Sequence, residues 1–384
     1  MVSDSMTDLR PNLGASIQHL YVHIPFCHRI CPYCSFYKHT PGSTDIGAFI
    51  DALLAELDYY RIRFSIEPRT LYFGGGTPSM LSSTHLAKLF SGLQDRFDLL
   101  SLEEWTLEAN PRTFDLAKMR LCVAAGVSRV SLGVQSWNPK HLECLGRDHS
   151  PQEATEAFRI LRDAEVPVVN IDHMFALPRQ TLAEWEDDLE YTLKLAPDHI
   201  STYNLTYEED TEFLKRFQNG EFHQEPDEDA EFFQLSHDRL VAAGFAHYET
   251  SNFAASGTRD FRSRHNRAYW QGADYLGLGP GAVSTVHGNR WTNIPDTARY
   301  IDCAQNFGIA AHECEKINAA AWLVERIALE LRTSDGLRLA LLDAERLPIL
   351  KTLELQGLVT CDFDRVILTA RGRLLADSVA AALI

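Results

Sequence analysis

Short runs rich in β-branched and aromatic residues alternate with longer helical patterns between His19 and Thr206, and this alternation limits the fold more than any other feature. The runs are HLYVHI, RTLYFGG, EWTLEAN, SRVSLGVQ, VVNIDHMFAL and HISTYNLT. Helical patterns separate them at Asp45 to Phe64, Thr84 to Phe97, Asp115 to Ala125, Gln152 to Ala164 and Leu182 to Leu195. Connections of that length suit right-handed crossovers between parallel strands. A closed eight-unit barrel needs two further strands before residue 250, where the chain instead turns acid-rich between Tyr207 and Glu231. The pattern therefore predicts an α/β chain with an open, partial (β/α)6 barrel. The acid-rich stretch carries enough aromatics to read as helix and turn with a solvated face.

Beyond this region lies SNFAASGTRDFRSRHNRAYWQGADYLGLGPGAVS, punctuated by Gly and Ser, with a basic island from Arg259 to Arg267. From Lys316 amphipathic helices are expected near 317 to 332, 338 to 344 and 345 to 357. They precede a hairpin in VTCDFDRVILT that turns at Asp362 to Arg365, and a last helix from Thr369. That order looks like a small, mostly helical winged-helix-like domain. The expected divisions are an N-terminal segment 1–18, a barrel 19–250, a connecting region 251–315 and a C-terminal domain 316–384.

Lys and Arg number 36 against 53 Asp and Glu, a net charge of -17, which disfavours nucleic acid and anionic membrane surfaces. The first residues, MVSDSMTDLRPNLGASIQHL, lack a basic flank leading into an apolar run, and Met6 is an equally serviceable start. Eight cysteines in 384 residues are too few for a disulfide scaffold. A cytoplasmic location with reduced thiols is expected.

Three cysteines cluster in YVHIPFCHRICPYCSFYK, directly after the first strand, with the spacing C-x3-C-x2-C. Thiolates of Cys27, Cys31 and Cys34 suit three corners of a [4Fe-4S] cluster with one iron left open, whereas structural zinc wants four ligands. Zinc with His28 or His39 as the fourth ligand is the competing reading, which would make the chain a zinc-stabilised interaction protein. The second strand ends in GGGTPS, where Gly74, Gly75 and Gly76 let backbone approach a ligand closely.

The cysteine spacing, with the aromatic Tyr33 before the last cysteine, resembles the radical S-adenosylmethionine (SAM) superfamily. The resemblance implies SAM on the open iron and its reductive cleavage to a 5'-deoxyadenosyl radical, fed by a low-potential electron donor. It assigns the glycine run Gly74, Gly75 and Gly76 to the SAM amino group, and Thr77 to the SAM site. It also assigns Tyr21, Tyr33, Glu108 in LEANP, Gln135 in LGVQS, Arg147 in LGRDH and Asp172 in NIDHM to contacts around SAM, with Glu108, Gln135 and Asp172 at or near a strand end. A bidentate guanidinium suits the SAM carboxylate and carboxylates suit its ribose and ammonium groups.

The motifs YVHIPFC, GGGTPS, EANP, GVQS, LGR and SNFA...HNRAYW together resemble the coproporphyrinogen III dehydrogenase-like subfamily from about residue 19 to the C-terminus. Two classes live there. The oxygen-independent coproporphyrinogen III dehydrogenases decarboxylate two propionates, and the HemW-type haem chaperones deliver haem to respiratory proteins. Phe36 stands where the dehydrogenases carry a further cysteine, only 26 residues precede Cys27, and HNRAYW resembles the HNxxYW motif of the chaperones. All three favour the chaperone class. His265 would then ligate haem iron, Tyr269 and Trp270 would stack on the porphyrin, and Arg262, Arg264 and Arg267 would meet its propionates. The implied partners are haem, haem-accepting respiratory proteins and the electron donor, with membranes touched only peripherally through the acceptors. These residues leave open whether SAM is cleaved during transfer.

Overall fold

The computed structural model describes residues 16–223 and 225–384. Most of the N-terminal segment 1–18, with Met6, lies outside the described residues. All six expected strands form: β1 (Ile17–Ile24), β2 (Ile66–Gly75), β3 (Glu104–Ala109), β4 (Arg129–Gln135), β5 (Val168–Phe175) and β6 (His199–Asn204). The fold is the α/β open partial barrel that the alternation predicts, with β1, β2, β3 and β4 parallel and in that order.

Helix starts follow local chemistry. Asp45 caps the helix Ile46–Arg61 by accepting from Ala48 N, and Asp115 caps Leu116–Ala125 through Lys118 N. Ser150 and Thr181 each form a reciprocal capping box, with Glu153 and Glu184, before Pro151–Asp163 and Leu182–Leu195. A side-chain acceptor at these positions satisfies an amide that the first turn leaves without a partner.

The chain divides into two compact units, each assembled from separate stretches. One takes residues 1–172, 206–223 and 274–316, and the other takes 173–205, 224–273 and 317–384. In the first, β1 also pairs in parallel with the strand Tyr275–Leu278. An antiparallel set follows, Val283–Val286, Asn289–Asn293 and Ala311–Lys316. Its core is aromatic: Trp105 meets Phe73 and Phe90 edge-on, and buried Trp291 donates to the Tyr60 hydroxyl at 2.8 Å.

The second unit holds two cores. One gathers Trp185, Leu189, Ile200, Phe232 and Phe253. The other is drawn wholly from the C-terminal stretch, including Ile327, Leu331, Leu353, Val366 and Leu383. There the helices Ala319–Leu331 and Leu347–Leu355 precede a hairpin of Val359–Asp362 and Arg365–Leu368, with Asp362 opposite Arg365. The expected helix at 338 to 344 is not one. Leu337 and Arg338 form a third strand against Val366 and Arg365, followed by a single 3-10 turn at Leu339–Leu341. Pairing to the hairpin takes up this backbone, so the apolar spacing serves a strand and a turn. Among the described residues no helix is long and apolar enough to cross a membrane.

Candidate functional site

The cysteine loop leaves the end of β1 and is tied down on both sides. Cys27 N donates to His39 O at 3.0 Å, His39 N donates to Pro25 O at 2.8 Å, and Cys34 N donates to Cys31 O at 3.2 Å. Gly76 N and Thr77 N donate to Ile24 O and Phe26 O, both at 2.8 Å, so the end of β2 is laced to the start of the loop. Phe213, fully buried, packs its ring 6.1 Å from Tyr33 and donates its N–H to Pro32 O at 3.1 Å. The acid-rich stretch thus supplies a brace for the loop through the helix Glu212–Gln218. Its sequence gave no sign of that role beyond its aromatics.

Each cysteine faces hydrogen-bond donors or positive charge. Thr77 Oγ1 points at Cys27 Sγ at 3.7 Å, Arg147 Nη1 points at Cys31 Sγ at 3.6 Å, and Lys38 Nζ binds Cys34 O. Burial pushes the Cys27 thiol up to about 11 and raises that of Cys34. Metal ligation therefore has to release the Cys27 proton, and a cation is the partner that makes a buried thiolate stable. Three thiols on one loop, with donors aimed at the sulfurs of Cys27 and Cys31 and a lysine beside Cys34, fit an anionic iron–sulfur cluster. The zinc reading needs His28 or His39 as fourth ligand. His28 Nδ1 lies 2.9 Å from Asp148 Oδ2, and both nitrogens of His39 are engaged, with Thr40 O at 2.8 Å and Thr297 Oγ1 at 2.7 Å.

The polar residues predicted around SAM fall in the same unit. Glu108 accepts from the Tyr72 hydroxyl at 2.7 Å and from Gly75 N at 3.1 Å, and burial raises its carboxyl to about 7, with Asp172 adding repulsion. Asp172 accepts from Ser131 Oγ and Asn170 Nδ2, both at 2.7 Å. It lies inside β5, three residues before the strand's last residue. Gln135 closes β4 in a left-handed conformation, φ 71°. Tyr33 is half-buried beside Cys31 and Arg147, and desolvation of its hydroxyl raises the phenol well above the usual range.

His23 joins Tyr21 to the loop. Its Nε2 lies 2.7 Å from Tyr37 O, which only an N–H can satisfy, so Nδ1 accepts from the Tyr21 hydroxyl at 2.9 Å. The ring is neutral, its pKa lowered to about 4 by burial. Gly75, at φ +105°, is required here: a Cβ would lie 2.4 Å from the His23 ring. The glycine run thus serves close packing within the protein as well as any ligand. Asn110, which the sequence did not single out, donates Nδ2 to Thr77 Oγ1 at 2.9 Å and accepts from Arg147 Nη2 at 2.6 Å. A small open cleft reaches Cys31, Thr77, Asn110 and Arg147.

His265 lies in the other unit, in the helix Arg264–Trp270 capped by Ser263. It is fully buried, with Nε2 2.8 Å from the Tyr269 hydroxyl and the two rings edge-on at 4.7 Å. Arg262 forks onto Asp260 at 2.9 and 2.8 Å, and Arg267 pairs with Asp335 at 3.0 Å. The basic island is thus partly neutralised from within the chain.

Residues 21–192 match the Radical SAM superfamily. The chain is 33% identical over 371 residues to the heme chaperone HemW of Bacillus subtilis, covering 94% of this chain and 97% of that protein. The chain belongs to the HemW family of radical SAM proteins. Within this family the chain is also 39% identical to the Escherichia coli heme chaperone HemW over 70% of each chain. The mitochondrial radical S-adenosyl methionine domain-containing protein 1 of Mus musculus is 34% identical over 85% of this chain and 75% of its own. Among solved structures, Escherichia coli coproporphyrinogen III oxidase (HemN), a radical SAM enzyme, superposes with a TM-score of 0.85 at 23% identity. The match covers 100% of this chain and 93% of that one. That likeness establishes the fold. Membership of the radical SAM superfamily implies a [4Fe-4S] cluster and SAM.

Proposed function

We propose that this chain is a haem chaperone that binds haem, a [4Fe-4S] cluster and SAM and hands haem to respiratory haemoproteins in the cytoplasm. The observation that carries the reading is 33% identity to a heme chaperone across 94% of the chain, with the HNRAYW motif present. Cys27, Cys31 and Cys34 would hold the cluster, and Tyr21, Tyr33, Gly75, Gly76, Thr77, Glu108, Gln135, Arg147 and Asp172 would surround SAM. When bound, the cluster supplies an open iron and an electron from a low-potential donor. On this reading Arg147 would present a fixed cation, Glu108 and Asp172 would present acceptors, and Tyr33 with Phe213 would back the loop. His265 would ligate haem iron, with membranes met only through the acceptors. The linear division at residues 18, 250 and 315 is kept as a proposal about sequence modules.

The test is an anaerobic haem titration of cluster-loaded protein followed by absorption, beside His265→Ala. Stoichiometric binding that weakens at least tenfold in the variant supports the reading, and equal affinity removes His265 as the ligand. Coproporphyrinogen III dehydrogenation is the competing function. Phe36, 67% exposed, stands where those enzymes carry a cysteine. Coproporphyrinogen III turnover by the loaded protein would restore that function to first place.

A further inference from the structure

Two of the three cluster cysteines are joined through one asparagine. Arg147 Nη2 donates to Asn110 Oδ1 at 2.6 Å and to Gly133 O at 2.7 Å, while its Nη1 points at Cys31 Sγ at 3.6 Å. Asn110 Nδ2 donates to Thr77 Oγ1 at 2.9 Å, and Thr77 Oγ1 points at Cys27 Sγ at 3.7 Å. The direction of every bond is fixed by chemistry. A guanidinium only donates, so the asparagine oxygen must face Arg147 and its amide must face Thr77. The Thr77 oxygen then accepts from that amide, which leaves its single hydrogen for the sulfur of Cys27.

We propose that Asn110 is a positioning residue that sets the reduction potential of the cluster by aiming the Thr77 hydroxyl and the Arg147 guanidinium at the sulfurs of Cys27 and Cys31. This rests on the reading that the three cysteines hold a cluster. Donors to ligating sulfurs stabilise the reduced, more negative state and raise the potential. Only an amide does both jobs here, since it accepts from Arg147 and donates to Thr77 at once. A carboxylate at position 110 accepts from both, drawing the threonine hydrogen off the sulfur and adding a negative charge. The site is rigid: Thr77 is 2% exposed, and a Cβ on Gly133 would meet Asn110 Oδ1 at 2.7 Å.

The experiment is a redox titration of the reconstituted cluster, without SAM, followed by electron paramagnetic resonance, on the full chain and on Asn110→Asp, Thr77→Val, Thr77→Ser and Thr106→Val. Thr77→Val loses one donor without a change in charge. At the wild-type midpoint its ratio of reduced to oxidised cluster falls about tenfold, equivalent to about 59 mV for one electron. Asn110→Asp moves further in the same direction, and Thr77→Ser keeps the wild-type potential. Thr106→Val, a buried threonine on β3 that faces none of the cysteines, serves as the packing control and leaves the potential unchanged. Wild-type protein that takes up no iron or sulfide overturns the cluster reading itself. Loaded Thr77→Val with the wild-type potential overturns the role of Asn110 and Thr77, and if Asn110→Asp fails to load, Thr77→Val alone decides.

Discussion

His265 Nε2 lies 2.8 Å from the Tyr269 hydroxyl, so ligation of haem iron by that nitrogen has to displace a hydrogen bond. Such a bond contributes about 1 kcal/mol net, which is about fivefold in a binding constant. Tyr269→Phe keeps the aromatic ring and removes the competitor. We predict that it tightens haem binding several-fold in a spectroscopic titration, and unchanged or weaker affinity would show that Nε2 is not the ligating atom. The motif was legible in the sequence, and the pair sits at i, i+4, the spacing that brings side chains together on a helix. What the sequence did not reveal is that the pair is closed and buried. Asn110 was less legible still. A lone asparagine after a strand reads as a turn residue, and nothing in LEANP shows that Thr77 and Arg147, from distant parts of the chain, converge on its two amide atoms.

Packing of the helix Ile46–Arg61 depends on a carboxylate where an apolar residue is expected. Glu56 is fully buried among Phe49, Leu53, Leu57 and Tyr60. It accepts from Tyr300 at 2.5 Å, Gly279 N at 3.0 Å and Asn293 Nδ2 at 2.7 Å. One side chain therefore ties the helix to three later parts of the same unit. Burial raises its carboxyl from 4.5 to about 7, and the three donors only partly offset that. The folded state then binds this proton more tightly than the unfolded chain, so the stabilisation is complete below about pH 4.5 and is lost as pH rises through about 7. Integrated over that window the loss is about 3 kcal/mol. Denaturant melts of wild type and Glu56→Gln should show this slope only in the wild type, and equal slopes would mean that Glu56 ionises normally. A second packing constraint is Gly372, in the helix Ala370–Leu374, where a Cβ would lie 1.8 Å from Leu358 O. Gly372→Ala should lower stability by about 2 kcal/mol or more, and an unchanged denaturation midpoint would show that the helix can shift. The six strands could be read from composition and local chemistry. The strand at Leu337–Arg338 could not, because its partner, Arg365–Val366, lies almost thirty residues on and only pairing distinguishes it from a short helix.

The whole molecule is organised by contacts that the order of motifs conceals. All the cysteine-loop and SAM-site residues fall in one unit, yet that unit recruits 206–223 and 274–316 from far along the chain. The other unit joins the HNRAYW helix to the C-terminal stretch, through Arg267 to Asp335 at 3.0 Å and Arg326 Nη1 to Trp270 O at 3.1 Å. Thr250 N also donates to Arg332 O at 3.0 Å, and Ser334 N donates to Tyr248 O at 2.9 Å. The C-terminal stretch packs its own apolar core, so its removal takes a complete hydrophobic cluster, separate from the core around Trp185. A chain ending at residue 316 should therefore still load iron and sulfide on Cys27, Cys31 and Cys34, because no residue of their unit is lost. Its haem affinity should fall at least tenfold, since Arg267 and Trp270 lose their anchors and Arg267 is left with Asp260 as its acidic neighbour, 3.9 Å away. Iron and sulfide analysis with a haem titration on the same sample reads both properties. Retained haem affinity would separate the HNRAYW helix from the C-terminal stretch in function. Loss of the cluster as well would mean that the cysteine loop depends on residues beyond its own unit, and that the division by contacts does not describe how the chain is stabilised.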